Sequence, residues 1–318
     1  MRGSDVTLAE YLRGEASELP KIVERQARLL KESGVARASL ADEHGLATGA
    51  GDSHAAAVYA QLVSRHNFMA ADPYELTLAP PPNGRYLIAI SVKGRTREVV
   101  KSVTTLKKFG WRALAVTAEP SSELARASDA VVRVSYGGGS MPVGVGNFAS
   151  VLTVLTWILS GEAAEAPSPS KPVKELAEAI AGGAAAEVVT VGEGLGVVPA
   201  YFTCLKLYET LCMPCRSYSI EQFLHAPLYS LSKKTITVVF PDTAGVKSRV
   251  LQSILENAGL RYAVVTPPSE GGPLALVLGE SAQAVLAIAE ASEARGFKVP
   301  CFEERRDLLE ASTPVIYG

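Results

Sequence analysis

The chain has few residues that could hold a metal or build a disulfide framework. Among 318 residues there are four cysteines and four histidines. Cys212-Met213-Pro214-Cys215 has the spacing of a redox motif or of half a zinc site. A structural zinc needs two further ligands, and the sequence has no second C-x-x-C and no H-x-x-x-H. The expectation is therefore no metal, with Cys204, Cys212, Cys215 and Cys301 as incidental thiols and a Cys212–Cys215 disulfide as the lesser alternative. Asparagine and glutamine are also sparse, at four and five, which suits a thermophile. No excess of either charge is present: the formal net charge is −2, which argues against nucleic acid as the main partner. The N-terminus lacks the apolar core of a leader peptide. The apolar run Phe148–Leu159 is interrupted by Ser150, Thr153 and Thr156 and is too short to span a bilayer. It reads as a buried helix, and the protein is expected to be cytoplasmic with no membrane partner.

The length suffices for two α/β domains of ordinary size. Residues 5–34 have helical periodicity, with Leu8, Leu12, Ile22, Leu29 and Leu30 on one stripe. Strand patterns follow at 45–49, 86–91, 113–117 and 130–134, with helical patterns at 54–66, 95–109, 121–127 and 147–160. Alternation at this spacing predicts a parallel sheet. The small, Pro-rich stretch 163–172 reads as a linker. The rhythm then repeats, with strands at 187–191, 235–240, 262–266 and 274–278 and helices at 198–211, 244–258 and 281–296. The expected organisation is a helical segment at 1–35, an α/β domain at 36–162, a linker at 163–172 and a second α/β domain at 173–318.

Two turns are built for an anion. The strand Tyr86–Ile90 runs into Ser91-Val92-Lys93-Gly94-Arg95-Thr96, and a helix begins at Arg97. Free N–H groups at a helix start, together with the hydroxyls of Ser91 and Thr96, can hold a phosphate. Gly51-Asp52-Ser53 has the same character. The local basic excess (Lys93, Arg95, Arg97, Lys101, Lys107, Lys108) fits a small anionic ligand as well as a solvated helix face. The counterpart in the second half, Phe240–Gly245, lacks this run of hydroxyls. A dinucleotide fingerprint at Gly49-x-Gly51, with Asp72 as the ribose acid, fails because His54 stands where a third glycine is required. The second half carries chemistry of another kind. Lys206 and Glu209 fall three apart on a helix and project from one face. His225 stands before Ala226-Pro227, at a helix stop. A carboxylate, an ammonium and an imidazole can move protons without an organic cofactor, and none is expected.

The Ser91–Thr96 turn resembles the S-x-S-G-x-T phosphate loop of the sugar isomerase (SIS) domain, and Gly51-Asp52-Ser53 resembles the G-[TS]-S loop of that domain. Leu205–Leu228 resembles the L-K-L-x-E and H-[GA]-P elements in the isomerase portion of glucosamine-6-phosphate synthase. Gly144-Val145-Gly146-Asn147 is similar to the turn between them. The resemblance implies two tandem SIS domains, each a parallel sheet flanked by helices in a flavodoxin-like three-layer arrangement. It implies a phosphate held by Ser53, Ser91, Lys93 and Thr96, with Gly51 and Asn147 contacting substrate. Glu209 would be the C1/C2 base, His225 the ring-opening residue and Lys206 a helper, with one site drawing on both halves. It also implies a homodimer in which His225 acts in trans. Val92-Lys93 departs from the pattern by losing one hydroxyl and gaining a cation. The glutaminase domain and the Lys-bearing tail of the synthase have no counterpart in the sequence. The resemblance thus implies a stand-alone hexose or hexosamine 6-phosphate isomerase, or an isomerising glucosamine-6-phosphate deaminase of the archaeal type. The alternative is a non-catalytic sugar-phosphate-binding regulator.

Overall fold

Strands buried on both faces of a parallel sheet read as nearly continuous apolar runs, as Leu87–Ile90 does here. A computed structural model describes residues 6–135, 141, 143–162, 164, 165, 167 and 170–318. Residues 1–5 of the expected helical segment and 163, 166, 168 and 169 of the expected linker lie outside the described residues. Contacts group the chain into two units. One comprises Pro20–Gly138, Gly146–Ala166 and Asp307–Gly318; the other comprises Met1–Leu19, Gly139–Val145 and Pro167–Arg306. They are called the first and second unit below. The opening helix α1 (Leu8–Glu32) has Pro20 in its interior.

The first unit contains β1 (Gly45–Thr48), α2 (Asp52–Val63), β2 (Phe68–Ala71), α3 (Pro73–Leu78), β3 (Tyr86–Ile90), α4 (Arg97–Lys107), β4 (Arg112–Thr117), α5 (Glu123–Ala127), β5 (Ala130–Arg133) and α6 (Gly146–Leu159). The five strands are all parallel, in the order β2-β1-β3-β4-β5. Leu87 and Ala89 of β3 pack with Val99, Val103 and Leu106 of α4 and with Leu124 of α5. Ile88 and Ile90 turn to the other face and are equally buried, so the sheet is covered on both sides.

The second unit contains α7 (Lys174–Ala181), β6 (Glu187–Gly192), α8 (Val197–Leu211), β7 (Cys215–Ser219), α9 (Ile220–His225), β8 (Thr235–Phe240), α10 (Val246–Asn257), β9 (Arg261–Val264), α11 (Pro273–Ala294) and α12 (Cys301–Glu304). Its four strands are also all parallel, in the order β7-β6-β8-β9. Val189 and Val191 of β6 pack on Phe223 of α9 and on Leu251 and Leu255 of α10. Thr190, between them, faces the other way and donates to the Ala200 carbonyl of α8 at 2.9 Å. The last helix, α13 (Arg306–Tyr317), contains no buried residue.

Three expectations need correction. The segment 274–278 is not a strand but the start of α11, a 22-residue helix. A short apolar run cannot by itself distinguish a buried strand from a buried helix, and Pro273 at the first helical position suits the helix. α11 is long and apolar enough to cross a bilayer, yet 83% of its most apolar window is buried inside the fold, as in a core helix. Second, the strands β2 and β7 were not anticipated. Both lie at sheet edges, and neither Phe-Met-Ala-Ala nor Cys-Arg-Ser-Tyr-Ser has a long apolar run. Third, the cysteines are not incidental thiols. Cys204 pairs with Cys215 and Cys212 with Cys301, with Cα–Cα separations of 5.4 and 5.6 Å. The fold brings α8 beside β7 and α12, which residue spacing along the chain does not show.

Candidate active site

A ligand on an open parallel sheet sits at the carboxyl ends of its strands, where order reverses on either side of the first strand. In the first unit that point lies between β1 and β3, and the two predicted anion turns leave from these neighbouring strands. Gly51 is the N-cap of α2 with φ +58°, and Ser53 lies in the first helical turn. The N-cap residue itself, a glycine, offers no side chain to α2. His54, in the same turn, bonds to the Gly49 backbone; its burial lowers its pKa, and Asp72 partly opposes this. Asp72 itself caps α3, accepting from the N–H groups of Tyr74 and Glu75.

The β3–α4 turn is held by its neighbours. Val92 O accepts from the Ala118 N–H at 2.8 Å and from Thr117 Oγ1 at 3.1 Å. Gly94 has φ +61°, and a Cβ there would collide with Ser122 Oγ, so only glycine fits. Thr96 is the N-cap of α4, but its side chain caps nothing; its Oγ1 lies 3.0 Å from Ser91 Oγ. The start of α4 is therefore open, with two hydroxyls beside it. Lys93 does not join this pair. It is exposed and lines a cavity of about 440 Å³ with Arg95, Glu119, Ser121 and Ser122. Asn147 lies in the first turn of α6, and its Oδ1 is enclosed without a hydrogen-bond partner among the described residues.

In the second unit the predicted pair comes together. Lys206 is 1% exposed and its Nζ lies 2.6 Å from Glu209 Oε2, while Glu209 is 35% exposed. The ammonium also stands over the Phe202 ring at 5.0 Å. A Lys/Glu pair at this spacing is usually solvated; here the ammonium is buried and only the carboxylate reaches solvent. A buried charge of this kind is tolerated only with its partner in place. His225 ends α9 with its side chain 73% exposed, and its hydrogen bond is to Glu221 at 3.3 Å, not to Glu209.

Glu193 has a structural role that the sequence reading missed. It leaves the end of β6 and closes the start of α10. Its carboxylate accepts from the Lys247 N–H at 3.0 Å, from the Ser248 N–H at 2.9 Å and from Ser248 Oγ at 2.6 Å. Burial raises its pKa, but these hydrogen bonds outweigh burial and leave it lowered. The only sequence signal was an acid inside a glycine turn, with its partners more than fifty residues away.

Comparison with known proteins bears on the fold. Residues 43–163 match the family model of the SIS domain. Glutamine–fructose-6-phosphate aminotransferase (isomerizing) of Gluconobacter oxydans (strain 621H) is 25% identical over 218 residues, covering 58% of this chain and 35% of that protein. The match thus spans about a third of that relative's length. The structure of tagatose-6-phosphate ketose/aldose isomerase from Escherichia coli superposes with a TM-score of 0.70 at 15% identity, over 91% of this chain and 94% of that one. Glucosamine-6-phosphate deaminase from Thermotoga maritima gives 0.63 at 18% identity, over 91% and 95%. At such identities the likeness is one of fold. Residues 43–163 are thus similar to a SIS domain, and the chain shares the α/β fold of these solved structures.

Proposed function

We propose that this protein interconverts the aldose and ketose forms of a hexose or hexosamine 6-phosphate, with loss of ammonia when the substrate carries a 2-amino group. The observation that carries this reading is the Lys206–Glu209 pair, a half-exposed carboxylate anchored by a buried ammonium. A neighbouring cation favours the ionised form of a carboxylate, which is the form a base needs. In this reading Glu209 takes the C2 proton of the open-chain aldose. The electron pair shifts to the C1 carbonyl oxygen, giving an enediolate; the O2 proton passes to O1, and the proton on Glu209 returns at C1 while O2 becomes the carbonyl. For a 2-amino sugar the same transfer places a C=N bond at C2; water adds there and ammonia leaves. His225 moves the proton that opens the sugar ring. Ser91 and Thr96, with the open start of α4, take the phosphate, joined by Ser53. Binding energy at the phosphate positions C1 and C2 for proton transfer.

The exposure of His225 suits a residue supplied to the other protomer of a homodimer. Mixed dimers of Glu209→Gln and His225→Ala protomers would then recover activity that neither variant has alone. The direct test is incubation of the protein with glucosamine 6-phosphate, fructose 6-phosphate and mannose 6-phosphate, assaying ammonia and product sugars. Turnover that vanishes in Glu209→Gln supports the reading. Tight binding of all three sugars without turnover would identify a sensor instead.

A further inference from the structure

The β3–α4 turn has two chemically distinct faces. Ser91 and Thr96 face each other across the turn, while Lys93 and Arg95 line the cavity shared with Glu119, Ser121 and Ser122 of the β4–α5 loop. The two loops form one rigid edge: Leu124 N–H donates to Gly94 O at 3.1 Å, and Gly94 packs against Ser122. Of the other four cations in this stretch, Lys101 pairs with Glu98 and Lys107 with Asp129, both at 2.7 Å. Neither Lys93 nor Arg95 has an ion-pair partner among the described residues, and Glu119 is the one acid in the cavity wall. Two uncommitted cations, two serines and a volume of about 440 Å³ at the carboxyl end of a parallel sheet are the features of a small-anion site.

We propose that this cavity is an anion subsite separate from the Ser91–Thr96 face, taking a phosphoryl or carboxylate group. Arg95 supplies a planar fork, Lys93 a mobile point charge, and the serine hydroxyls further donors. Glu119 lowers the net charge of the cavity and favours ligands that also carry hydroxyl donors. The group could come from either of two sources: a second acidic group on the sugar ligand, or a free anionic effector. Only the first source rests on the function proposed above.

Isothermal titration calorimetry with inorganic pyrophosphate tests the proposal on the full chain and on Lys93→Gln/Arg95→Gln and Ser91→Ala/Thr96→Ala. All four positions lie on one turn, where Lys93 and Arg95 are exposed and Ser91 is buried, and melting curves check that the variants fold. The wild type is expected to bind. The Lys93/Arg95 variant should bind at the cavity about tenfold more weakly or worse, as expected for lost charge-assisted hydrogen bonds, while the Ser91/Thr96 variant should keep that binding event and lose only a second one at its own hydroxyls. Glu119→Gln should tighten binding about twofold, the scale of an exposed charge pair. Repeating the titration with saturating fructose 6-phosphate separates the sources: retained binding means a free effector, and displacement means a second group of the sugar ligand. If fructose 6-phosphate fails to bind while pyrophosphate still requires Lys93 and Arg95, the proposed function falls and the subsite stands. No pyrophosphate binding, unchanged binding in the Lys93/Arg95 variant, or equal loss in both double variants would overturn the subsite.

Discussion

The β3–α4 turn and the β8–α10 turn occupy the same place in two sheets built in the same order, yet their contents are opposite. Each follows the strand that pairs in parallel with the first strand of its unit, β3 with β1 and β8 with β6. In the first unit no side chain among the described residues accepts from the start of α4, and two hydroxyls stand beside it. In the second unit the carboxylate of Glu193 already occupies the equivalent position at α10. Both turns are crowded by a neighbouring turn: Gly94 abuts Ser122, and a Cβ on Gly194 of the β6–α8 turn would lie 2.9 Å from Asp242 Oδ2 of the β8–α10 turn. What separates the proposed phosphate turn from a structural turn here is thus whether the chain has capped its own helix.

Four variants test this contrast. The largest effect is expected from Glu209→Gln, which asks whether the unit with the closed turn carries the chemistry. Loss of a general base costs about 10²–10⁴-fold in rate. The glutamine retains an oxygen for Lys206 but loses the charge, so melting should also occur at somewhat lower temperature. An enzyme of full activity would remove Glu209 from the mechanism. Next, Ser91→Ala with Thr96→Ala should weaken sugar-phosphate binding by about 1–3 kcal/mol per hydroxyl, read by calorimetry. Unphosphorylated sugars should be unaffected, and an unchanged phosphosugar affinity would show that the open turn is not the phosphate site.

The second unit supplies the two smaller effects. Glu280 of α11 is fully buried with both oxygens unpartnered among the described residues. Burial first, and then Asp242, push its pKa well above the usual carboxylate range. A raised acid pKa means that stability falls as pH rises from the unfolded value towards the folded one. Glu280→Leu should therefore stabilise the protein by about 1–3 kcal/mol at neutral pH, and by less in acid, where both states are protonated. Denaturant titrations across pH would show the difference, and a pH-independent difference would mean that Glu280 ionises normally. Finally, Glu193→Ala should cost about 1 kcal/mol, the scale of a helix cap. The lowered pKa of Glu193 gives a contribution present above the unfolded carboxylate pKa and lost as pH falls through the folded one, so the variant should lack that acid-labile part. Inorganic phosphate should raise the melting temperature of the variant more than that of wild type. Equal responses would show that uncapping alone does not create an anion site.

The inner strands and the anion turn were legible in the sequence because their signals are local. Leu87–Ile90 is a continuous apolar run ending in Ser91 and a glycine turn, and local periodicity suffices for such segments. The edge strands β2 and β7 were hidden because half-exposed edges do not need an apolar run. The start of α11 was misread because it is apolar on all sides. The spacing of Lys206 and Glu209 showed that they could meet, but not that only the lysine would be buried. Glu193 and the cysteine pairs depend on contacts distant along the chain. The cap joins residues 54 and 55 positions apart, and the Cys212–Cys301 bond spans 89.

The Cys212–Cys301 bond also changes the covalent topology of the chain. It closes a ring that contains β7, α9, β8, α10, β9 and α11, while the Cys204–Cys215 bond overlaps the start of that ring. On the chain-entropy account a ring of this size removes about 4–5 kcal/mol of freedom from the unfolded state. A protease that cuts once inside the ring does not release a fragment. The two ends stay joined through sulfur, and the nicked chain migrates as one band until a dithiol reductant separates it into two.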